Sequence, residues 1–331
     1  MNKEDAGILL SIAIPTWNRA TLLEKALKNV GEQAGLFKNE IEIIISNNDS
    51  SDNTMQVMNE FTIAYPNLII KTYHQESNTG YYGNFKKVRE LSIGKYFWLL
   101  SDNEYLKNNA ISIIINLIRK QQNVGVFYIN NKIDPQINTE IKFEEAKKYF
   151  DSENAYQITL ISSAIMLNNK QYDDEITTRY NNNLFMGFLY LINALRVKNK
   201  ICTINSNLFS SEPAFVSFDV FAAWTFHILN CVNYMLEIEL LNTYTKEKFI
   251  SGYLKTNVKN HIIAFRKGIK TRENTYTLND LRTLIENHYK HNKTYNKKVR
   301  PYLFSHFIIF YLFIFATKSK KAIAKVFFSK L

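Results

Sequence analysis

The sequence has 331 residues, of which 46% are apolar, enough for one large domain or for one domain with a smaller appendage. Its two cysteines, without a CxxC pair, exclude a disulfide framework and favour a reducing, cytoplasmic setting. The net charge of +11 lies at one end, because residues 251–331 hold 17 Lys and Arg against 3 Asp and Glu, a net of +14 that leaves −3 for residues 1–250.

The first 130 residues alternate short apolar runs with helical patterns. A buried strand is predicted to end at Pro15, and further strands are predicted at about 41–45, 68–73, 96–100 and 124–129. Helical patterns of about ten residues separate these runs. Because this alternation is typical of parallel βαβ units with helices on both sheet faces, we expect an α/β fold.

Three polar clusters follow the predicted strands, at 15–19, 46–52 and 101–104. Ligands of open α/β sheets bind at the carboxyl ends of the strands, so the clusters indicate a small-molecule site. In the third cluster, Asp102 and Glu104 come directly after an apolar strand, where one carboxylate can hold a ribose and the other a metal. The alternative is a solvated turn that caps the next helix.

Four segments resemble, in the same order, the family 2 glycosyltransferases, which have the GT-A fold. SIAIPTWNR (11–19) is similar to the family's first strand and P-T-Y-N-R turn, and IIISNNDSSDNT (43–54) to its second strand and D-x-S-x-D-x-T loop. Asn78-Thr79-Gly80 with Asn84 resembles the N-x-G…N segment, and GKYFWLLSDNE (94–104) resembles the G-x-Y-hydrophobic-D-x-D segment. The resemblance spans roughly residues 8–125 and implies a mostly parallel sheet flanked by helices, with a helical C-terminal region.

The resemblance also implies roles for individual residues. The donor pocket would include Pro15, Thr16, Trp17, Arg19, Asn47, Asn78, Asn84 and Asp102, with Asn47 standing where the family usually has an Asp that contacts the nucleobase. Asp102, Asn103 and Glu104 would bind Mn²⁺ or Mg²⁺. Three departures from the family pattern, Trp17, Asn47 and Asn103-Glu104, indicate a weaker metal site or, alternatively, an inactive homologue.

Family 2 enzymes are typically inverting, which requires a general base for the acceptor hydroxyl. The segment 160–166 resembles an acceptor-side strand of the abequosyltransferase-like bacterial branch, and Asp173, Asp174 and Glu175 follow it. We expect one of these three to be the base, with Asp174 slightly favoured, although a solvated acidic loop is an equal alternative. Glu212 and Asp219 are weaker candidates.

The end of the chain is an apolar, aromatic stretch followed by a basic one, unlike the segments before it. Residues 302–316 read YLFSHFIIFYLFIFA, and lysines follow them. As a helix this stretch covers roughly 22 Å, short of the roughly 30 Å hydrocarbon core, so it is a poor membrane span. A helix lying on a membrane surface is favoured, and a buried core helix with a basic tail is the alternative. For the basic run 288–298, binding to lipid headgroups is likewise preferred to binding to nucleic acid.

We therefore predict a catalytic domain (1–210), a helical region (211–300) and a basic membrane-association segment (301–331). The expected activity is inverting transfer of a sugar from a nucleotide sugar, most simply a UDP-sugar, to a growing lipid-linked bacterial surface glycan such as O-antigen, capsule or a teichoic-type polymer. The expected location is the cytoplasmic face of the membrane. The alternatives are a nucleotidyltransferase, disfavoured because the loop 15–19 lacks glycine, and a non-catalytic membrane-bound partner of a glycan assembly complex.

Overall fold

The computed structural model describes residues 7–131, 139–152, 154–212, 219–268, 276–306, 309, 310 and 314. Its strands are β1 Leu10–Thr16, β2 Ile41–Asn47, β3 Ile69–His74, β4 Tyr96–Leu99, β5 Glu104–Leu106, β6 Val126–Ile129, β7 Glu140–Glu145, β8 Ala164–Leu167, β9 Lys200–Asn205 and β10 Phe209–Ser211. Among the described residues, eight of these strands form one sheet in the order β3-β2-β1-β4-β8-β6-β9-β7, and β5 pairs with β10 in a separate ribbon.

The sheet is mixed. Strands β3, β2, β1 and β4 run parallel to one another, and β6 is parallel to β9. Strand β8 enters between β4 and β6 in the opposite direction, and β7 is antiparallel to β9. Four of the seven pairings in the described part of the sheet are therefore parallel. Strands β1, β2 and β4 are apolar and almost wholly buried, as expected of parallel strands covered on both faces, and the α/β prediction is confirmed.

Helices cover both faces of the sheet and then form the C-terminal region. The first seven are α1 Ala20–Ala34, α2 Thr54–Ala64, α3 Gly80–Leu91, α4 Ala110–Lys120, α5 Ala146–Phe150, α6 Asp173–Arg179 and α7 Met186–Val197. The C-terminal region contains α8 Val220–Ala222, α9 Ile228–Glu237, α10 Thr243–Tyr253, α11 Lys259–Arg266, α12 Leu278–Tyr289 and α13 Arg300–Phe304. Three π-helical segments, Ala223–His227, Leu254–Val258 and Tyr295–Val299, join these helices.

One glycine allows a close backbone approach at the amino ends of the parallel strands. A Cβ on Gly94 would lie 2.6 Å from the backbone nitrogen of Ser11. Because glycine has no Cβ, the backbone can approach closely, and the Gly94 N–H donates to the Ser11 hydroxyl at 2.8 Å and to the carboxylate of Glu42, in β2, at 3.2 Å. Glycine at this position therefore lets the segment before β4 close over β1.

The predicted membrane-association segment is described only at residues 301–306, 309, 310 and 314. Tyr302, Leu303 and Phe310 are buried, and the Arg266 guanidinium donates to the carbonyl oxygens of Tyr302 and Ser305 at 2.6 and 2.9 Å. These contacts are those of the buried-helix alternative. The remainder of 301–331 lies outside the described residues, and no helix within the described ranges is long and apolar enough to cross a bilayer.

Candidate active site

A cavity of about 720 Å³ opens at the carboxyl ends of β1 and β4. The turn after β1, the start of α3 and the segment after β4 form one side of it, and residues of the C-terminal helices form another. Its lining consists of Pro15, Thr16, Trp17, Arg19, Asn48, Asn78, Gly80, Tyr81, Asn84, Phe85, Leu99, Leu100, Ser101, Asp102, Asn103, Glu104, Asn131, Thr159, Leu160, Ser162, Ser163, Leu184, Phe185, Phe209, Ser211, Trp224, Tyr253 and Asn257.

Asp102 is the carboxylate held closest to β1. Its side chain is almost fully buried and accepts hydrogen bonds from the Thr16 hydroxyl and from the Arg19 guanidinium, each at 2.8 Å. Burial raises the pKa of Asp102 above its ordinary value, and the Arg19 charge and both hydrogen bonds oppose that shift without cancelling it. The turn after β1 and the segment after β4 are thereby joined at one carboxylate.

Glu104 begins β5 and offers the cavity an oxygen atom that is not in use. Its Oε1 accepts a hydrogen bond from the Ser211 hydroxyl at 3.2 Å, whereas its buried Oε2 has no hydrogen-bond partner among the described residues. Burial raises the pKa of Glu104, although the Ser211 hydroxyl and the nearby Ser162 hydroxyl oppose the shift. A buried carboxylate oxygen without a partner has the chemistry of a cation ligand.

Asn103 contributes to the cavity wall but its amide is already paired. Its Nδ2 donates to the Glu212 carbonyl oxygen, and its Oδ1 accepts from the Ser101 hydroxyl, both at 2.6 Å. Within the described ranges no three or more His, Cys, Asp or Glu side chains cluster closely enough to hold a metal. If a divalent cation binds here, Glu104 Oε2 would be its protein ligand.

The structure brings together most of the predicted donor residues. Pro15, Thr16, Trp17, Arg19, Asn78, Asn84, Asp102, Asn103 and Glu104 all line the one cavity. Asn84 is buried in α3 and its Nδ2 donates to the carbonyl oxygens of Thr16 and Ser46 at 3.3 and 3.2 Å, which ties α3 to the ends of β1 and β2.

Asn47 does not line this cavity. Its Oδ1 accepts from the backbone N–H of Ser50, and its Nδ2 lies 3.1 Å from Nδ1 of His74, so the amide holds the loop after β2 in shape. The next residue, Asn48, lines the cavity, and its Oδ1 accepts from the Thr79 N–H at 2.9 Å. The residue of the polar cluster after β2 that lines the cavity is therefore Asn48, one position after the residue that the motif implied.

None of the three predicted base candidates lines the cavity. Asp173 is the first residue of α6 and accepts from the buried Arg89 guanidinium at 2.9 Å. Glu175 pairs with Arg196 at 2.9 Å, and Asp174 between them is exposed. These contacts explain the acidic run as the first turn of a helix docked on basic side chains, and the catalytic role predicted for it stays a prediction.

The weaker base candidates also lie outside the cavity lining. Glu212 pairs with Lys25 at 3.1 Å, and Asp219 accepts from the N–H groups of Phe221 and Ala222 at the start of α8. Each carboxylate therefore has a structural partner, and neither contributes to the wall that holds Asp102 and Glu104.

Sequence reasoning missed the wall built by the C-terminal helices. Trp224, Tyr253 and Asn257 line the cavity from there, and Leu184 and Phe185 adjoin them from the end of the first region. No motif marks these residues in the sequence, because an aromatic side chain at helical spacing has the same pattern whether it faces a core or a cavity.

A family model described as glycosyl transferase family 2 matches residues 11–177, half of the chain and all four motif segments.

Among curated proteins, an uncharacterized glycosyltransferase of Mycoplasma genitalium is 28% identical over 123 residues, covering 36% of this chain and 40% of that protein. The abequosyltransferase of Salmonella typhimurium is 31% identical over 118 residues (35% and 34%). A Campylobacter jejuni GalNAc(5)-diNAcBac-PP-undecaprenol beta-1,3-glucosyltransferase is 33% identical over 111 residues (32% and 33%). The matched segments thus span at most two fifths of these relatives' own length.

Solved structures resemble a much larger part of the chain. Residues 1–349 of S. aureus TarS superpose with a TM-score of 0.58 and 15% identity, covering 86% of this chain and 82% of that one. The mannosyltransferase PcManGT from Pyrobaculum calidifontis, in complex with GDP-Man and Mn²⁺, gives a TM-score of 0.51 and 11% identity, covering 90% and 86%. At these identities the likeness concerns the fold alone, and the predicted GT-A architecture is confirmed.

Proposed function

Because the chain belongs to glycosyl transferase family 2, we propose that it transfers a sugar from a nucleotide-sugar donor to a bacterial surface glycan. The observation that carries the proposal is the cavity in which residues from all four of the family's motif segments, Thr16, Asn84 and Asp102 among them, meet at the carboxyl ends of the parallel strands. Because of this family membership, we propose glycosyl transfer in preference to the nucleotidyltransferase alternative.

On the donor side we assign the nucleotide to the wall around β1 and β4. Asp102 would accept a ribose hydroxyl, the Trp17 ring would offer an apolar face to the base or ribose, and Arg19 would face the diphosphate. TarS has been crystallised with UDP-GlcNAc and PcManGT with GDP-Man, so a nucleoside diphosphate sugar suits this architecture. A UDP-sugar remains our proposed donor.

The cofactor we propose is Mn²⁺ or Mg²⁺, with Glu104 as its protein ligand and Asp102 beside it. When bound, a divalent cation neutralises the negative charge that develops on the leaving nucleoside diphosphate. The residues of the chain contribute separately, because Arg19 and Thr16 hold Asp102 in place and burial keeps the site low in water. Transfer with inversion is part of the proposal, and Asp173, Asp174 or Glu175 could act as base only if α6 approached the cavity.

The test is donor turnover with the purified 331-residue protein. A panel of UDP- and GDP-sugars with Mn²⁺ should raise the melting temperature for the matching donor, since a ligand of the folded state stabilises it. Asp102→Ala should lower metal-dependent donor hydrolysis by about 100-fold, the scale of losing a charged group at the reacting centre. Asp151→Ala, which removes an exposed carboxylate far from the cavity lining, is the matched control. Turnover that survives Asp102→Ala would contradict the site.

The acceptor we propose is lipid-linked, which would place the protein on the cytoplasmic membrane surface. The Campylobacter relative is named for an undecaprenol-linked acceptor, and the basic residues after 314 would meet anionic headgroups. Deleting 315–331 retains Leu303 and Phe310, which are buried. That deletion should abolish sedimentation with phosphatidylglycerol vesicles, and unchanged sedimentation would exclude this segment as the anchor. The domain limits 1–210, 211–300 and 301–331 stay part of the proposal.

A further inference from the structure

The cavity has a second wall that the donor motifs do not provide. Trp224, Tyr253 and Asn257, all from the C-terminal helical region, line it together with Phe185. The family model ends at residue 177, so these four residues lie beyond the segment that carries the donor motifs. A transferase must hold its acceptor beside the donor sugar, and this wall belongs to the same cavity as Asp102.

Both helices of this wall are widened into π turns where they meet the cavity. Trp224 lies in the π-helical segment Ala223–His227, Tyr253 directly precedes the segment Leu254–Val258, and Asn257 lies within it. Such turns occupy well under 1% of residues in globular proteins and occur frequently at functional sites, because the extra residue re-aims side chains. Two of them beside one cavity indicate a wall built to present particular groups.

A threonine stabilises each π turn next to the residue that lines the cavity. The Thr225 hydroxyl donates to the Phe221 carbonyl oxygen at 2.8 Å, and the Thr256 hydroxyl donates to the Gly252 carbonyl oxygen at 2.7 Å. Each bond reaches back four residues, as threonine hydroxyls also do in α2, α6 and α12. The two bonds lie one residue from Trp224 and one residue from Asn257.

The groups on this wall are held in place by one another. The Trp224 ring packs 5.2 Å from the Tyr253 ring and 4.3 Å from the His261 ring, and the Tyr289 hydroxyl donates to the Trp224 carbonyl oxygen at 2.9 Å. Tyr253 is 2% exposed, and the Asn257 side chain lies beside its hydroxyl, where it opposes the rise in the pKa of Tyr253 that burial causes. Trp224 is the partly exposed ring of this pair, and Tyr253 supports it from within the wall.

We infer that this wall is the acceptor subsite and that it holds a neutral pyranose, an inference that rests on the proposed transferase function. The partly exposed Trp224 indole presents an apolar surface to the C–H face of a sugar ring, Tyr253 holds that indole in place, and the Asn257 amide bonds the hydroxyl groups of the sugar. Arg19 is the sole cation among the described residues that line the cavity, and it adjoins Asp102. A phosphate on the acceptor's carrier therefore lies outside the cavity.

The experiment separates transfer from donor chemistry. Wild-type protein is given its donor and Mn²⁺ with p-nitrophenyl glycosides of glucose, galactose, N-acetylglucosamine and, as an anionic contrast, glucuronic acid. We expect transfer to at least one neutral glycoside and none to the glucuronide. Trp224→Ala should lower the ratio of transfer to donor hydrolysis by about tenfold or more, as for a central aromatic contact. Asn257→Ala should lower the same ratio by about fivefold through a lost hydrogen bond.

Each variant has a matched control in the same region. Phe226→Ala removes an exposed ring from the same π turn as Trp224, and Asn296→Ala removes an exposed amide from the π-helical segment Tyr295–Val299; neither residue lines the cavity. Trp224→Phe replaces Trp224→Ala if the latter fails to fold, and should retain part of the transfer.

The outcomes are distinguishable. Wild-type transfer to the glucuronide alone, or to no glycoside despite donor hydrolysis, overturns the subsite, as do Trp224 variants that transfer normally or that lose hydrolysis in parallel. A wild-type protein that neither binds nor hydrolyses any donor defeats the proposed function itself.

Discussion

Buried carboxylates lie at both ends of the parallel strands, and their environments differ. We call the amino ends of these strands the amino edge and their carboxyl ends the carboxyl edge. At the amino ends of the parallel strands, Glu42 is fully buried and accepts from the Ser11 hydroxyl at 2.5 Å and from the Ile93 N–H at 2.7 Å, with the Lys71 ammonium 2.8 Å away. At the carboxyl ends, Asp102 has the Arg19 ion pair. Oε2 of Glu42 and Oε2 of Glu104 both lack a hydrogen-bond partner among the described residues, but Oε2 of Glu42 has the Lys71 ammonium beside it.

The pKa values express this difference. Burial alone would raise the pKa of Glu42, but the Ile93 N–H, Lys71 and Ser11 together bring it below its ordinary value of 4.5. For Asp102 and Glu104 burial prevails, and both pKa values are raised. A carboxylate whose partners are all within the protein stabilises the fold, whereas one that is left short of partners has its charge reserved for a ligand. Three predictions can break or sharpen this contrast.

The largest effect is expected at the amino edge. Glu42→Ala would leave Lys71 without its counter-charge and the Ile93 and Gly94 N–H groups without an acceptor, and should lower the free energy of unfolding by about 3–5 kcal/mol. Urea denaturation at pH 7 measures it. Glu76→Ala, an exposed glutamate, is the control. A loss below about 1 kcal/mol would show that this edge is no more structural than the other.

An intermediate effect is expected at Glu104, and in metal dependence rather than stability. Glu104→Gln keeps the shape and removes the charge, so the Mn²⁺ concentration for half-maximal donor hydrolysis should rise about tenfold, equivalent to about 1.4 kcal/mol. Unfolding free energy at pH 7 should not fall. Glu212→Gln, whose carboxylate pairs with Lys25 outside the cavity lining, is the control. An unchanged Mn²⁺ requirement would remove Glu104 from the metal site.

The carboxyl edge was largely predictable from the sequence, because its residues belong to motifs fixed by strand ends. Parallel strands deliver their following turns to one edge, so Thr16, Asn84 and Asp102 could be placed together without coordinates. The exchange of Asn47 for Asn48 as the lining residue could not be foreseen, since it depends on which amide the loop uses for its own hydrogen bonds. Glu42 gave no signal either, as its partners come from three separate segments.

The C-terminal wall was beyond prediction for a different reason. The predicted helical C-terminal region is confirmed at its described residues, but a π turn depends on where a helix gains a residue, which apolar periodicity does not reveal. Trp224 and Asn257 line the cavity from within two such turns. The acidic run at 173–175 lies outside the cavity lining, with Asp173 paired to Arg89 and Glu175 to Arg196, and its catalytic role stays a prediction.

The smallest expected effect is the pH dependence of stability, which should have opposite signs for Glu42 and Glu104. A carboxyl with a lowered folded pKa stabilises above its ordinary pKa and loses that contribution as pH falls through the folded value, so wild type should exceed Glu42→Gln by about 2 kcal/mol at pH 7, and this advantage should shrink as the pH falls below the ordinary value of 4.5. A carboxyl with a raised folded pKa costs stability above that value and is relieved as pH falls toward 4.5. Glu104→Gln should therefore match or exceed wild type at pH 7, by on the order of 1 kcal/mol or less, and lose that advantage on acidification. Unfolding free energies from urea titrations between pH 7 and about pH 4 give both differences, and curves of the same sign would mean that the two edges hold their carboxylates in the same way.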